Sequence, residues 1–238
     1  MKAVILAGGK GTRLAPYTTV FPKPMLPIGD KPILDIIFKQ LAYYGFKEIV
    51  LSVGYLAELI QAYFQNDQKI LESVRLSYVK EKKPLGTAGS LSLITNQVEP
   101  FLVMNGDTLT TIDYRKLMEF HKMNGGSLTI AAHKRQVDID FGVLHTDRHS
   151  KLVSYDEKPT LDYLVSMGIY VFEPEVLNYI RPNQRLDFPD LVKALLAEGK
   201  KVQCLMTDEY WLDIGRHDDY EQAVKDFEKM KSQLLKES

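Results

Sequence analysis

An α/β protein built on a doubly wound, mostly parallel sheet is what this sequence predicts, on three observations. Short apolar runs rich in β-branched residues alternate with stretches whose apolar residues recur at helical spacing. Their order through residue 132 reads βαβαβαβαβ, the pattern of strands joined by crossover helices. One run, Phe101–Met104, is apolar without alternation, as a strand covered on both faces is. From about Phe141 the pattern changes to strands joined by short turns, so a mixed β region is expected, inserted over one end of the sheet. No Pro/Gly/Ser linker separates the two patterns, and a single domain over 1–238 is expected.

Each element has its own local reason. Lys2–Ala7 is an apolar run that stops at Gly8-Gly9-Lys10, too short for a signal peptide and suited to a first buried strand. Gly8–Arg13 is a glycine-rich loop. Pro16–Pro27 holds four prolines and is excluded from helix interior. A helix is expected from Pro32, with Ile33, Leu34, Ile36, Ile37, Leu41 and Tyr44 at helical spacing and Gly45 closing it. Glu48–Val53 is the next strand, Ala57–Phe64 the next helix, Val74–Val79 a strand and Thr87–Ile94 a helix after a glycine turn. Tyr114–Met123 reads as helix and Leu128–Ala132 as extended. Phe141–His145, Lys151–Glu157 and Met167–Phe172 follow as strands, Pro174–Ile180 and Pro189–Glu198 as helices. Lys201–Met206 and Tyr210–Gly215 are extended, and a helix begins at Asp218.

Charge excludes one large class of function. Lys and Arg number 30 and Asp and Glu 31, a net charge of −1 that offers no excess of cations to a nucleic acid. The apolar fraction of 45% is that of an ordinary globular chain, and no run approaches the roughly 18 apolar residues of a membrane span. The single cysteine, Cys204, suits a reducing, cytoplasmic setting and is expected in the core of its strand. His145 and His149 flank a turn, which argues against a metal site there.

Six short motifs carry the chemistry. Gly8-Gly9-Lys10-Gly11-Thr12-Arg13-Leu14 follows the first strand, where backbone N–H groups can face a phosphate and Arg13 adds a guanidinium fork. It fits neither a Walker A loop, since Gly11 follows Lys10, nor a dinucleotide fingerprint, since Leu14 holds the last glycine's place. Lys23 stands between Pro22 and Pro24 in a stiff segment. Asn105-Gly106-Asp107 ends the buried strand, where open α/β sheets bind ligands; it is read equally as a metal-ligand position or a turn. Asp213, in Trp211-Leu212-Asp213-Ile214-Gly215, needs a cation partner, unless it caps the last helix or pairs with Arg216. Pro84-Leu85-Gly86-Thr87-Ala88-Gly89 is a helix cap at Thr87 or a flat edge for a nucleobase. Glu157-Lys158-Pro159 is a surface ion pair or a clamp for sugar and phosphate.

Taken in this order, these motifs resemble those of the sugar-1-phosphate nucleotidyltransferases, or NDP-sugar pyrophosphorylases, over residues 2 to about 227. The phrases around Gly86 and Trp211 are most similar to the mannose-1-phosphate guanylyltransferase-like group. The resemblance implies a Rossmann-like fold of the nucleotide-diphospho-sugar transferase type. Its nucleotide-binding half would be 1–135, its sugar-phosphate-binding half 136–217, and its C-terminal helix 218–238. It implies that Arg13 and Lys23 are catalytic, and that Leu6, Ala7, Gly8, Gly9, Gly11, Thr12, Arg13, Gly86, Thr87, Ala88 and Asp107 bind nucleotide. Asn105, Gly142, Glu157, Lys158 and Gly168 would bind the sugar phosphate. Asp107 and Asp213 would hold Mg²⁺. At Ser166-Met167-Gly168 the chain departs from the Asn-Ala-Gly of many members.

The implied reaction joins a nucleoside triphosphate to a sugar 1-phosphate, giving NDP-sugar and pyrophosphate. GTP with mannose 1-phosphate or a related sugar phosphate is the leading expectation. The alternative is a thymidylyl- or uridylyltransferase acting on glucose 1-phosphate or an amino-sugar 1-phosphate. A non-catalytic nucleotide-sugar sensor ranks below both, because Arg13, Lys23, Asp107 and Asp213 are all present. No nucleic acid or membrane partner is expected, and an isologous homodimer is the commonest assembly.

Overall fold

The computed structural model describes residues 1–236. The chain opens with β1 (Lys2–Ala7), the single helical turn α1 (Tyr17–Val20) and a small hairpin of β2 (Pro27–Ile28) and β3 (Lys31–Pro32). Next come α2 (Ile33–Tyr43), β4 (Glu48–Val53), α3 (Ala57–Gln65), α4 (Gln68–Ser73), β5 (Arg75–Lys80) and α5 (Gly86–Gly89). β6 (Phe101–Asn105), β7 (Thr108–Thr110), α6 (Tyr114–Asn124) and β8 (Leu128–Asp138) complete the first half. The second half holds β9 (Val143–Thr146), β10 (Leu152–Asp156), β11 (Thr160–Phe172), α7 (Phe188–Ala197), β12 (Val202–Thr207), β13 (Trp211–Asp213) and α8 (His217–Leu235). The last two positions of the expected C-terminal helix lie outside the described residues.

Seven strands form the main sheet in the order β12–β8–β11–β6–β1–β4–β5. Every pairing is parallel except those of β11, which runs antiparallel to both β6 and β8. The alternation of side chains in β1 and β6 shows why both strands are apolar throughout. Ile5, Leu102 and Met104 enter one core with α2, α3, α6 and α8. Val4, Phe101 and Val103 enter the other, against α7 and the 3₁₀ turn at Ser90–Leu93.

Four departures from the sequence reading have physical causes. The second half is not merely laid over one end of the sheet, since residues 169–172 of β11 sit between β6 and β8. The strands expected at Leu128–Ala132 and Met167–Phe172 run on to Asp138 and back to Thr160. Those extensions carry polar residues, and cross-strand contacts hold them: Lys134 and Gln136 to Asp162, and the Thr160 hydroxyl to Asp138. α1 fits a full helical turn between Pro16 and Pro22, and Lys23–Met25 forms a 3₁₀ turn. Cys204 is exposed rather than in the core, because β12 is an edge strand and its cysteine faces outward.

Candidate active site

The parallel strands deliver their carboxyl ends to one edge, and a cleft of about 390 Å³ opens there. Leu6 and Gly8 come from the end of β1, Glu81 from the end of β5, and Asn105 and Asp107 from the end of β6. Gly86, Thr87, Gly9, Arg13 and Asp213 line the rest of it.

Lys23 meets Asp107, one of the residues lining this cleft. Their side chains form a direct ion pair, and Lys23 is only 9% exposed. The 3₁₀ turn Lys23–Met25, which Pro22 precedes and Pro24 stiffens, sets this position. Asp213 arrives from the far end of the chain, because β13 pairs antiparallel with β7 and Asp213 lies opposite Thr108. The Ile214 N–H donates to the Asp107 carbonyl at 3.1 Å, fixing one loop against the other. Asp213 is accessible from the cleft, yet the surrounding protein withholds enough water to move its carboxyl above the usual range. That desolvation is the largest cause, and the nearby Asp107 carboxylate adds to it. Lys23 and Arg13 oppose the rise.

The pair meets the requirements of a divalent cation. Asp107 Oδ1 is buried with no hydrogen-bond partner among the described residues, and the Asp107 carboxylate still raises the Asp213 carboxyl although Lys23 and Arg13 oppose it. No group of three or more metal-ligating side chains exists among the described residues. Two carboxylates completed by phosphate oxygens and water are what Mg²⁺ takes. The capping alternative for Asp213 fails: Asp219 Oδ2 accepts from the N–H groups of Gly215 and Arg216 at 3.2 and 2.8 Å.

Several expected contacts lie elsewhere. Ala7 is buried, and Gly11, at φ 62°, packs its turn against Thr18 and Lys23 instead of lining the cleft. Thr12 is exposed beside it. Ala88 points into the second core, its N–H donating to the Leu186 carbonyl. Thr87 does not cap its own helix: its hydroxyl accepts from the Phe188 N–H at 2.7 Å, at the start of α7. Gly168 borders the cleft indirectly. Its φ of 72° and the Asn105 amide lying where a Cβ would stand leave no room for a side chain. Gly142, Glu157 and Lys158 belong to the exposed β9–β10 hairpin and its flanks. There the Tyr155 hydroxyl donates to Glu157 at 2.7 Å and occupies the space over Gly142.

Glu81 was not among the expected residues. In sequence it lies inside the charged run Lys80-Glu81-Lys82-Lys83 and reads as surface; its one signal is its place just beyond a parallel strand. It is half-buried, and burial raises its carboxyl above the usual range. The Leu85 N–H, at 2.9 Å, and the Ser52 hydroxyl, at 3.4 Å, oppose that shift. A Cβ on Gly8 would collide with its carboxylate, so the glycine loop makes room for it.

Known proteins resemble the chain along nearly its whole length. The chain is 36% identical to a UTP–glucose-1-phosphate uridylyltransferase of Synechocystis, over 94% of the chain and 63% of that relative. It is 33% identical to the mannose-1-phosphate guanylyltransferase catalytic subunit beta of Dictyostelium discoideum, over 92% and 62%. It thus spans about three fifths of the length of these relatives. A D-glycero-alpha-D-manno-heptose 1-phosphate guanylyltransferase of Campylobacter jejuni is 34% identical over 92% of the chain and 97% of its own length. Among solved structures, HddC from Yersinia pseudotuberculosis superposes with a TM-score of 0.73 at 29% identity, over 95% of this chain and 99% of that one. The nucleotidyl transferase family model matches residues 2–230, and the chain belongs to that family.

Proposed function

We propose that this protein transfers a guanylyl group from GTP to a sugar 1-phosphate, releasing pyrophosphate. One observation carries the reading: the glycine loop, Arg13, the Lys23–Asp107 pair and Asp213 converge on a single cleft at the carboxyl edge of the sheet.

Glu81 supports guanine. A carboxylate is an acceptor on both oxygens. Guanine offers two adjacent N–H donors on one edge, whereas uracil and thymine offer one N–H between two carbonyls that a carboxylate repels. Gly86 and Thr87 line the same cleft, next to Leu85, whose N–H donates to Glu81. Glycine-loop N–H groups and the Arg13 fork would receive the phosphates. No side chain needs to act as a nucleophile, because an oxygen of the sugar phosphate attacks the α-phosphorus directly. The protein's work is to align two polyanions and oppose their charge. Lys23 stands where negative charge grows as pyrophosphate departs, and its fixed position spares reorganisation at that moment. Asp107 and Asp213 would hold Mg²⁺, which when bound offsets phosphate charge and relieves their repulsion. Asn105 would meet the sugar phosphate from the β6 end, with Glu157 and Lys158 reaching it from the hairpin. We place the reaction in the cytosol, which suits a chain with one cysteine. The acceptors named for the two guanylyltransferase relatives, a mannose and a manno-heptose 1-phosphate, are the first to test.

The experiment measures pyrophosphate release for four nucleoside triphosphates crossed with a panel of sugar 1-phosphates, on the wild type and on Glu81→Gln. GTP is expected to lead in the wild type. The amide should cut that preference by about ten- to a hundredfold, since it presents a donor to a donor edge. The same variant alters stability in a defined direction. Because burial raises the Glu81 carboxyl in the folded state, its favourable contribution is present below the usual carboxylate range and lost as pH rises through the raised value. Glu81→Gln removes that decline. A UTP or dTTP preference that ignores Glu81→Gln overturns the guanine assignment. No release from any pair overturns the reaction.

A further inference from the structure

Gln40 lies inside α2 and is 2% exposed. Its amide nitrogen donates to the Thr110 carbonyl on β7 and to the Leu234 carbonyl in the last turn of α8, both at 2.8 Å. Its Oε1 accepts from the Tyr114 hydroxyl, on the first residue of α6, at 3.2 Å. Two carbonyls on one side and a hydroxyl on the other leave the amide one satisfied orientation. Thr110, Tyr114 and Leu234 are as buried as Gln40, so water has no access to replace any of these bonds. Packing alone would be served by an apolar side chain of the same length, and a buried amide costs desolvation that its hydrogen bonds must offset.

What these bonds hold is the pair of β7 and β13. The two strands form a sheet of their own, with no ladder to the seven-stranded sheet among the described residues. Thr108 lies opposite Asp213 and Thr110 opposite Trp211, and the Thr110 hydroxyl donates to the Tyr210 carbonyl at 2.6 Å. Asp107 immediately precedes β7, so this small sheet carries both carboxylates assigned to Mg²⁺. Leu109 and Ile112 anchor it in the core, but apolar contact is non-directional and does not fix a register. On the other side of the tie stands the Lys23 segment. The Ile33 N–H, at the start of α2, donates to the Leu26 carbonyl at 3.2 Å and fastens that helix to the 3₁₀ turn bearing Lys23. The two segments are therefore joined twice, by Lys23 to Asp107 and, about two turns along α2, by Gln40 to Thr110.

We infer that Gln40 is a positioning residue for the proposed nucleotidyl transfer. It sets the β7–β13 sheet, and with it Asp107 and Asp213, against the Lys23 segment, and it draws the last turn of α8 into the same clamp. The inference rests on the metal role proposed above for the two carboxylates.

Gln40→Met keeps the length of the side chain and gives up all three hydrogen bonds. Tyr114→Phe gives up one, and carries the test if the first variant does not fold. Amide hydrogen exchange is measured without metal or nucleotide at residues 108–111 and 211–213, with β4 as the reference. Trp211 is the only tryptophan and stands opposite Thr110, so its emission reports on the same strands. Gln40→Met should speed exchange there by about tenfold or more, leave β4 near wild type and shift the Trp211 emission. The Mg²⁺ concentration for half-maximal turnover should rise by about five- to fiftyfold, with kcat recovered to within about threefold at saturating Mg²⁺. Tyr114→Phe should move both readouts the same way by a smaller factor. A lower melting temperature with wild-type exchange in β7 and β13 and an unchanged Mg²⁺ requirement would make Gln40 structural only and overturn the inference. Faster exchange in β7 and β13 with an unchanged Mg²⁺ requirement overturns it too, because the clamp would then not reach the carboxylates. Faster exchange confined to these strands, in a protein that turns over no nucleotide–sugar pair, leaves the clamp standing and sinks the reaction instead.

Discussion

β11 passes through two different environments within its thirteen residues. From Met167 to Phe172 it is buried, with residues 169–172 between β6 and β8, and Phe172 packs near Phe101, Tyr170 and Phe188. From Thr160 to Ser166 it leaves that core and pairs with the outer part of β8 alone, beside the β9–β10 hairpin, where Phe141, Leu144, Leu152, Val153 and Tyr155 are all exposed. A shift of register between Ser166 and Tyr170 divides the two stretches, with Gly168 inside it. The inner stretch fixes the rim on which Asn105 and Asp107 stand. Beside the outer stretch, Gly142, Glu157 and Lys158 lie on the exposed ribbon of the β9–β10 hairpin and its flanks. On the proposed function, phosphate positioning would rest on rigid strands and the sugar contacts on a part free to adapt to the acceptor.

The largest effect expected from this contrast is on stability. Phe172→Ala should cost about 3–5 kcal/mol in urea unfolding, whereas Val153→Ser on the hairpin should stay within about 0.5 kcal/mol. A comparable loss at Val153 would mean that the ribbon is covered in solution, as a homodimer would cover it, and the contrast would fail.

Activity should divide in the same way. Lys23→Ala is expected to lower kcat by about a hundred- to a thousandfold, because the rim loses a charge that is already in place when pyrophosphate departs. Initial rates at saturating substrates measure this, and a change confined to KM would deny Lys23 that role. The smallest effect belongs to the ribbon. Lys158→Ala should raise the KM for the sugar 1-phosphate by about tenfold or less and leave kcat and melting temperature near wild type. A collapse of kcat in that variant would show the ribbon to be as preorganised as the rim.

The same division governs what could be read from sequence. β1 and β4 coincide with their apolar runs because parallel strands covered on both faces need apolar residues at every position. The outer parts of β8 and β11 show no such pattern. Their Lys134, Gln136 and Asp162 are bound to one another across the strands, and a partner some thirty residues away leaves no local periodicity. α4 has its cap, Asp67, but only six residues, too few to display a helical period. At the site, Lys23, Asp107 and Asp213 stood out because a proline frame, a glycine turn and an apolar setting each make a charge unusual. Glu81 was hidden among three lysines, and its distinction is wholly spatial: the missing side chain of Gly8. The exposed Cys204 follows from strand order, which a single strand's composition does not encode.

The late arrival of β11 also bears on how the chain emerges from the ribosome. β6 pairs with β1 on one side as soon as both exist, but its other edge is closed only by Ile169–Phe172. At roughly 5–20 residues per second, the stretch from Asn105 to Ile169 takes seconds to synthesise. Throughout that interval a strand of Phe101, Leu102, Val103 and Met104 presents an open hydrogen-bonding edge, a ready template for another nascent copy. Solubility during expression should therefore depend on the speed of translation between these two points, and on chaperones that shield a half-built sheet.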